Sequence, residues 1–217
     1  METGPENVLR LTRAVDISKP IGTVKKRRSL TVEEQKVFVK CALKHQYAIY
    51  FMLIYLCGCR PSEAAIVRYD DIIISNDRKY IHVRGTKSEA ADRYVPLPDK
   101  LLTILNGSSG YLVTTSKGNP LSKKKRILVW NSLVRDINIE MGCKMYRNQL
   151  IPPYPFSEDI STYSLRHTYC TNLQKKGVDI RTAQYLMGHS DIQMTANIYT
   201  HTTLESLDSD WDKINSK

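Results

Sequence analysis

Residues 47–59 contain no charged side chain and are apolar at most positions. The stretch is too short to cross a membrane, because a spanning helix needs about 20 predominantly apolar residues. A helix that is apolar on all sides is stable where other elements cover it. The sequence therefore predicts a buried core helix over about 47–57. This helix is expected to end at Gly58, since glycine is the residue most often found just after a helix.

The composition is that of a globular protein with a polyanionic partner. Apolar residues make up 41% of the 217 positions, enough to bury a core of one or two domains. Lysine and arginine number 32 against 22 acidic residues, and the net charge of +10 favours nucleic acid over a membrane. A basic protein without such a partner is the alternative that charge alone leaves open.

The cysteines and the N-terminus indicate a cytoplasmic protein. The five cysteines are odd in number and lie mostly in apolar stretches, a pattern typical of reduced, buried thiols. No Cys–His set has zinc-ligand spacing and no acidic group has a spacing suited to Mg²⁺, so neither a metal nor another cofactor is expected. The N-terminus is polar, has an early proline and lacks a secretory pattern.

The hydrophobic periodicity and the cap residues predict a mainly α-helical fold with one small antiparallel β-sheet (α+β). Thr31 and Glu34 form a capping box that begins a helix to about Lys44. Pro61 begins a short helix through Val67. Three strands are expected over 71–75, 80–85 and 93–97, and further helices over 98–105, over 121–140 and from 159 onward.

Two terminal segments differ from the rest of the chain. Residues 1–28 lack a sustained hydrophobic period and end in a basic run, so they are expected to form an arm or linker that lies along phosphates. A solvated tail is the alternative for this segment. Residues 29–217 would form the folded domain, whose last stretch, 203–217, is amphipathic and locally acidic.

Five side chains supply the groups that metal-independent cleavage of a DNA phosphodiester requires: Arg60, Lys87, Arg166, His189 and Tyr199. Two separated arginines bind phosphate oxygens bidentately and stay charged at every relevant pH. A tyrosine hydroxyl attacks phosphorus when a nearby base or a positive field offsets its ordinary pKa of about 10. A lysine and a histidine can donate protons to the departing oxygen and to the phosphate.

Taken singly, each of these residues also has a structural interpretation. Arg60 can pair with Glu63, and Lys87 can be a solvated turn residue. His189 can close the end of a helix, and Tyr199 is one of thirteen tyrosines. The joint pattern is what points to chemistry.

A basic run begins the helix predicted over 121–140. Cations near a helix N-terminus oppose the helix dipole, so local stability does not explain them. Contact with the DNA backbone is the functional interpretation, and a solvated face is the alternative. The residues of this run are Lys123, Lys124, Lys125 and Arg126.

The contexts of the five residues resemble those of the tyrosine recombinases, also called phage-type integrases. The motifs are Arg-x-x-Glu (60–63), Gly-Thr-Lys (85–87) with Val-Pro-Leu (95–97), Leu-Arg-His-Thr (165–168) and Leu-Met-Gly-His-Ser (186–190), with Tyr199 ten residues after His189. They cover about residues 29–210, which corresponds to the family's catalytic domain. Residues 178–189 look most like integrases of conjugative transposons and prophages of Gram-positive bacteria.

The resemblance implies a role for each motif residue. The roles are phosphate clamp for Arg60 and Arg166, leaving-group acid for Lys87, phosphate ligand for His189, nucleophile for Tyr199, orientation of the Arg60 region for Glu63, and support for His167. It also implies a bacterial protein that integrates or excises a mobile element, with four protomers acting on two DNA duplexes. The segment 203–217 would then dock on a neighbouring protomer, or else pack on its own core.

Two features depart from the family pattern. Tyr163 occupies the position three residues before Arg166, where the family usually has histidine. A tyrosine is a poor base at neutral pH, so removal of the Tyr199 proton would rely on water, on His189 or on the arginine field. Tyr163 would bind the phosphate through its hydroxyl, or act as a rival nucleophile. Only 28 residues precede Ser29, so the core-binding and arm-binding domains of the family are expected to be absent.

Two other functions share these residues. A type IB topoisomerase uses the same chemistry, although the Leu-Met-Gly-His-Ser motif and the short spacing to Tyr199 favour a recombinase. A catalytically silent DNA-binding regulator of the same fold is the other alternative. The intact set of five residues argues against it.

Overall fold

The structure is a computed structural model that describes residues 28–85 and 89–199. Its helices are α1 (Val32–Lys44), α2 (Ala48–Cys57), α3 (Pro61–Ala64), α4 (Asp99–Leu102), α5 (Lys123–Glu140), α6 (Thr162–Lys175), α7 (Ile180–Met187) and α8 (Gln193–Tyr199). Its strands are β1 (Ile72–Ser75), β2 (Arg78–Val83), β3 (Arg93–Pro96), β4 (Met145–Tyr146) and β5 (Gln149–Leu150).

Helix α2 is the centre of the core, as the sequence predicts. Its residues are largely buried, and it packs against α1, α3, α4 and α6. It ends at Gly58, which adopts a left-handed conformation with a φ of 65°. A Cβ at this position would lie 2.6 Å from Cε1 of Tyr169, so only glycine fits the turn. This turn sends the chain directly into Arg60 and α3.

The capping box predicted for α1 is present. The Thr31 side chain accepts from the backbone N–H of Glu34, and the Glu34 carboxylate accepts from the backbone N–H of Thr31. The Glu34 carboxylate also accepts two 2.7 Å hydrogen bonds from Arg28. Arg28, the last residue of the predicted arm, is therefore tied to the folded domain. The rest of the arm and the predicted docking segment 203–217 lie outside the described residues.

The three-stranded sheet is an antiparallel meander with the order β1-β2-β3. The buried Ile81 of β2 lies opposite Ile72 of β1, which is partly buried, and Val95 of β3, which is buried. The mainly helical fold with a small antiparallel sheet is thus confirmed. A second, two-stranded hairpin of β4 and β5 was not predicted, because each strand is only two residues long. Arg147 and Asn148, both with positive φ, form its turn.

The short helix after Pro61 ends earlier than the sequence predicts. It stops at Ala64, and Val67 lies outside the helix. The Val67 carbonyl accepts a 2.8 Å hydrogen bond from the amide of Leu112. Pairing with a distant segment, which local sequence does not encode, therefore replaces the last helical turn. None of the helices in the described segments is long and apolar enough to span a membrane.

Candidate active site

The turn between α2 and α3 places Arg60 at the surface of the core. Its side chain remains 27% exposed. One guanidinium nitrogen lies 2.7 Å from Oε1 of Glu63, and another donates to the carbonyl oxygen of Gly188 at 2.7 Å. Arg60 therefore links α3 to the end of α7 and still presents part of its guanidinium to solvent.

Glu63 is a buried carboxylate shared by two arginines. Besides Arg60, it contacts Arg93 at 2.9 Å and 3.3 Å. Burial alone would raise the pKa of Glu63, but hydrogen bonds and charge from Arg93, together with contacts from Arg60, hold that pKa below its ordinary value. Glu63 is therefore ionised at neutral pH and acts as the counter-ion of both arginines.

Arg93 is a functional residue that the sequence analysis missed. It is 1% exposed, and besides Glu63 it donates to the carbonyl oxygens of Leu186 and Ala91, each at 2.8 Å. It thus joins β3 to α3 and to the end of α7. The alternation of side chains along β3 could have identified Arg93 from the sequence. Arg93 and Val95 alternate with exposed residues, so the arginine occupies an inward position.

Arg166 lies on α6 beneath the other two arginines and is 5% exposed. Its guanidinium nitrogens donate to the carbonyl oxygens of Gly58 and Met187. Burial, followed by the charges of Arg60 and Arg93, lowers the pKa of Arg166 to about 9. Arg166 is therefore still cationic at neutral pH. Three guanidinium groups thus interact electrostatically with one carboxylate, that of Glu63, and of these three Arg60 and Arg93 contact it directly.

His189 follows the left-handed Gly188 that ends α7. A Cβ on Gly188 would lie 2.8 Å from a guanidinium nitrogen of Arg93, so a glycine is needed for this close approach. His189 is 8% exposed, and its Nδ1 lies 2.9 Å from Oγ1 of the buried Thr195. Burial, then the charges of Arg166 and the other arginines, lowers the pKa of His189 to about 4. The imidazole is therefore neutral at pH 7.

Tyr199 is the last residue of α8 and packs against the core from the α6 side. Gln174 of α6 donates to its backbone carbonyl at 3.0 Å. Its hydroxyl is buried, and no hydrogen-bond partner for it lies in the described segments. Burial, then Cys170 and Asp179, raises the pKa of Tyr199 to about 12. The structure thus does not bring this hydroxyl into hydrogen-bond contact with His189 or either clamp arginine.

The other residues singled out by sequence are distributed around this cluster. Tyr163 and His167 lie on α6, the first exposed and the second half-buried. The basic residues 123–126 occupy the first turn of α5, whose N-cap is Ser122. Lys87 lies outside the described residues. In the described part of the chain, no three His, Cys, Asp or Glu side chains are grouped as metal ligands would be.

The model of the phage integrase family matches residues 28–205. Tyrosine recombinase XerA of Thermococcus kodakarensis is 32% identical over 189 residues, which cover 83% of this chain and 60% of that protein. Tyrosine recombinase XerC of Lacticaseibacillus casei is 30% identical over 165 residues, which cover 74% of this chain and 52% of that protein. The chain therefore spans between about half and three-fifths of the length of these relatives.

Solved structures share the fold. The Tn1549 transposon integrase in complex with circular intermediate DNA has a TM-score of 0.65 at 19% identity, covering 92% of this chain and 69% of that one. The catalytic domain of bacteriophage HP1 integrase has a TM-score of 0.54 at 19% identity, covering 87% of this chain and 95% of that one. The fold is thus that of a tyrosine recombinase catalytic domain, as predicted. The chain belongs to the phage integrase family.

The role of Arg93 can be tested by replacing it with methionine. Arg93→Met leaves the buried Glu63 with one cationic partner fewer and leaves two carbonyls without their donor, so we expect a loss of about 3–5 kcal/mol in the free energy of unfolding. The matched control is Arg68→Met, which breaks an exposed pair with Asp70 and should cost at most about 1 kcal/mol. Urea unfolding of both variants measures the difference, and equal losses would contradict the buried role of Arg93.

The neutral state of His189 predicts a pH dependence of stability. Its pKa of about 4 in the folded protein lies below the ordinary value of 6.5, so between these values the unfolded chain binds a proton that the folded one does not. Folded stability is therefore lost as the pH falls from 6.5 to 4, by about 3 kcal/mol. His189→Asn removes this contribution. Between pH 7 and pH 4 the wild type should lose about 3 kcal/mol more unfolding free energy than the variant; parallel losses would refute the assignment.

Proposed function

We propose that this chain is the catalytic domain of a site-specific DNA recombinase that cuts and rejoins strands through a 3′-phosphotyrosyl intermediate, without a metal ion. The observation that supports this most strongly is the convergence of Arg60, Arg166 and His189 around the α2–α3 turn in a chain of the phage integrase family. The Tn1549 integrase was solved with circular intermediate DNA and with transposon right-end DNA. This likeness supports double-stranded DNA as substrate and a mobile element as its source.

The clamp suits a phosphodiester because it has more positive than negative charge. Arg60 and Arg93 share the carboxylate of Glu63, and Arg166 adds a third positive charge that has no carboxylate partner of its own in the described segments. An anion would therefore balance the excess positive charge. Arg60 and Arg166 would bind the two non-bridging oxygens of the scissile phosphate. Because Nδ1 of His189 contacts Thr195, the other imidazole nitrogen would be the one that hydrogen-bonds to the phosphate. The phosphate would thus be held by guanidinium groups in the position where other phosphotransfer enzymes use a metal ion.

In the cleavage step the Tyr199 hydroxyl oxygen would form a bond to phosphorus while the bond from phosphorus to the 5′ oxygen breaks. Lys87 would give a proton to the departing 5′ oxygen, and the proton of Tyr199 would pass to water. The 5′ hydroxyl of another strand would then attack the phosphotyrosine and restore a phosphodiester. Bond number is conserved, so the exchange needs no energy source.

The Tyr199 hydroxyl must leave its buried position before this reaction. Its pKa is raised and it has no hydrogen-bond partner within the described part of the chain, so this hydroxyl is not ready to attack. We infer that α8 shifts when DNA binds and delivers the hydroxyl to the clamp. Glu63 would orient the Arg60 region, while Tyr163 and His167 would support the site from α6.

The full reaction would require DNA backbone contacts and more than one protomer. The basic first turn of α5, residues 123–126, would contact phosphates. Exchange between two duplexes would use four protomers, with the segment 203–217 docking on a neighbour. The protein would work in the bacterial cytoplasm on the DNA of its element.

A nicked suicide duplex, selected for binding to the protein and incubated in EDTA, tests the proposal. The wild type should form a covalent adduct that survives denaturation, since loss of the cleaved fragment prevents religation. Tyr199→Phe should abolish the adduct. Tyr163→Phe should retain it, as should the matched control Tyr146→Phe on the exposed β4–β5 hairpin.

Three results would count against the proposal. A wild type without an adduct would argue against an active nucleophile. An adduct that persists in Tyr199→Phe but disappears in Tyr163→Phe would reassign the nucleophile to α6. An adduct that forms in a parallel sample without EDTA, but not in the sample with EDTA, would contradict cleavage without a metal ion.

A further inference from the structure

A groove of about 610 Å³ opens beside the candidate active site. It lies between the first turn of α3, the first turns of α5 and the first turn of α6. Its charged and hydroxyl-bearing lining comprises Ser62, Lys123, Arg126, Ser161, Thr162 and Tyr163, and its apolar wall includes Trp130. The combination of cations, hydroxyls and an aromatic wall is typical of a surface that binds nucleic acid.

The groove carries positive charge that the described part of the chain does not neutralise. Within residues 28–85 and 89–199, no carboxylate lies within ion-pair distance of Lys123 or Arg126. Arg126 instead donates to the carbonyl oxygen of Leu121 at 3.1 Å. The N-termini of α5 and α6, 18 and 14 residues long, add the positive ends of two helix dipoles. The groove is therefore suited to an anion.

Tyr50 of α2 lines the same groove and has an unsatisfied hydroxyl. The residue is 0% exposed, and its hydroxyl has no hydrogen-bond partner in the described segments. Burial raises the pKa of Tyr50, which keeps its hydroxyl a neutral donor, and the positive charge of Arg126 opposes that rise. An unpaired buried hydroxyl costs about 1–3 kcal/mol, so a partner is expected in the functional state.

The groove adjoins the proposed phosphate clamp along two elements. Ser62 follows Arg60 by two residues at the start of α3. Tyr163 precedes Arg166 by one turn of α6, and residues three apart lie on the same helix face. A DNA strand with one phosphate in the clamp would therefore place a neighbouring part of its backbone along the groove.

We propose that this groove is a second phosphate subsite, which binds a non-scissile phosphodiester of the DNA backbone through the Tyr50 hydroxyl and the charges of Arg126 and Lys123. The assignment rests on the proposed function for its ligand. For a phosphate oxygen to reach this buried hydroxyl, side chains that line the groove would shift on binding, and the Arg126 guanidinium would pair with the same phosphate. The hydroxyl donates and the phosphate oxygen accepts.

The test is equilibrium binding of the full 217-residue chain to a duplex of arbitrary sequence at several salt concentrations. Tyr50→Phe should weaken binding about tenfold, because it removes a hydrogen bond to a charged acceptor. It should leave the salt dependence unchanged, because no charge is lost. Arg126→Gln and Lys123→Gln should each reduce the slope of log affinity against log salt by about 0.9, the value for one released counterion.

Matched controls separate this subsite from general effects. Tyr55→Phe removes a hydroxyl whose 2.9 Å hydrogen bond to Gln35 lies within the α1–α2 packing, and it should leave DNA binding unchanged. Lys176→Gln removes a charge just past the opposite end of α6, about 20 Å from the groove, and should leave the salt slope unchanged. Because the Tyr50 hydroxyl has no hydrogen-bond partner among residues 28–85 and 89–199, Tyr50→Phe should not lower the melting temperature.

The double variant Tyr50→Phe, Arg126→Gln gives the sharpest result. Since both groups act on one phosphate, its loss of affinity should be smaller than the product of the two single losses. Any of three results would overturn the assignment. Tyr50→Phe could bind DNA with wild-type affinity, the affinity losses of the two single variants could multiply fully in the double variant, or Tyr50→Phe could have a lowered melting temperature. Binding does not require the covalent step, so failure of the adduct experiment leaves this result interpretable.

Discussion

The carboxylate of Glu63 is the interaction on which the candidate site depends. It neutralises Arg60 at the surface and Arg93 in the core, and Arg166 lies close enough for both charges to lower its pKa. Without this shared counter-ion, three guanidinium groups would repel one another in a region with little water. The same contacts join β3, α3 and the end of α7, through the Leu186 carbonyl. One buried acid thus organises both the charge and the geometry of the site.

The excess positive charge of the three arginines bears on the states of His189 and Tyr199. It contributes, after burial, to keeping His189 neutral, so the imidazole acts as a hydrogen-bonding group rather than as a cation. The Tyr199 hydroxyl is buried on the α6 side of the core, away from hydrogen-bond contact with this field. A phosphodiester would supply the missing negative charge and a partner for the imidazole. In the proposed function, DNA binding and assembly of the site are therefore the same event.

The sequence predicted the parts of this structure that local patterns encode. The uncharged stretch before Gly58 predicted the buried helix, and the Thr31–Glu34 capping box predicted the start of α1. It did not predict the role of Arg93, because burial of a charge depends on partners 30 and 93 positions away in the chain. The early end of α3 has the same origin, since the Val67 carbonyl pairs with Leu112, which is distant in sequence. Motif context predicted Arg60 and Arg166 as a phosphate clamp, whereas the counter-ion that Arg60 shares with Arg93 emerged only from the packing.

A crystal structure of the Tyr199→Phe variant bound to an uncleaved duplex would show whether Arg60, Arg166 and His189 hold the scissile phosphodiester. We expect non-bridging oxygens of one phosphate within about 2.7–3.2 Å of all three side chains, with residue 199 moved from the α6 side towards that phosphate. The phosphate-clamp role would be refuted if the three side chains kept only their contacts within the protein and the phosphate nearest residue 199 lay elsewhere.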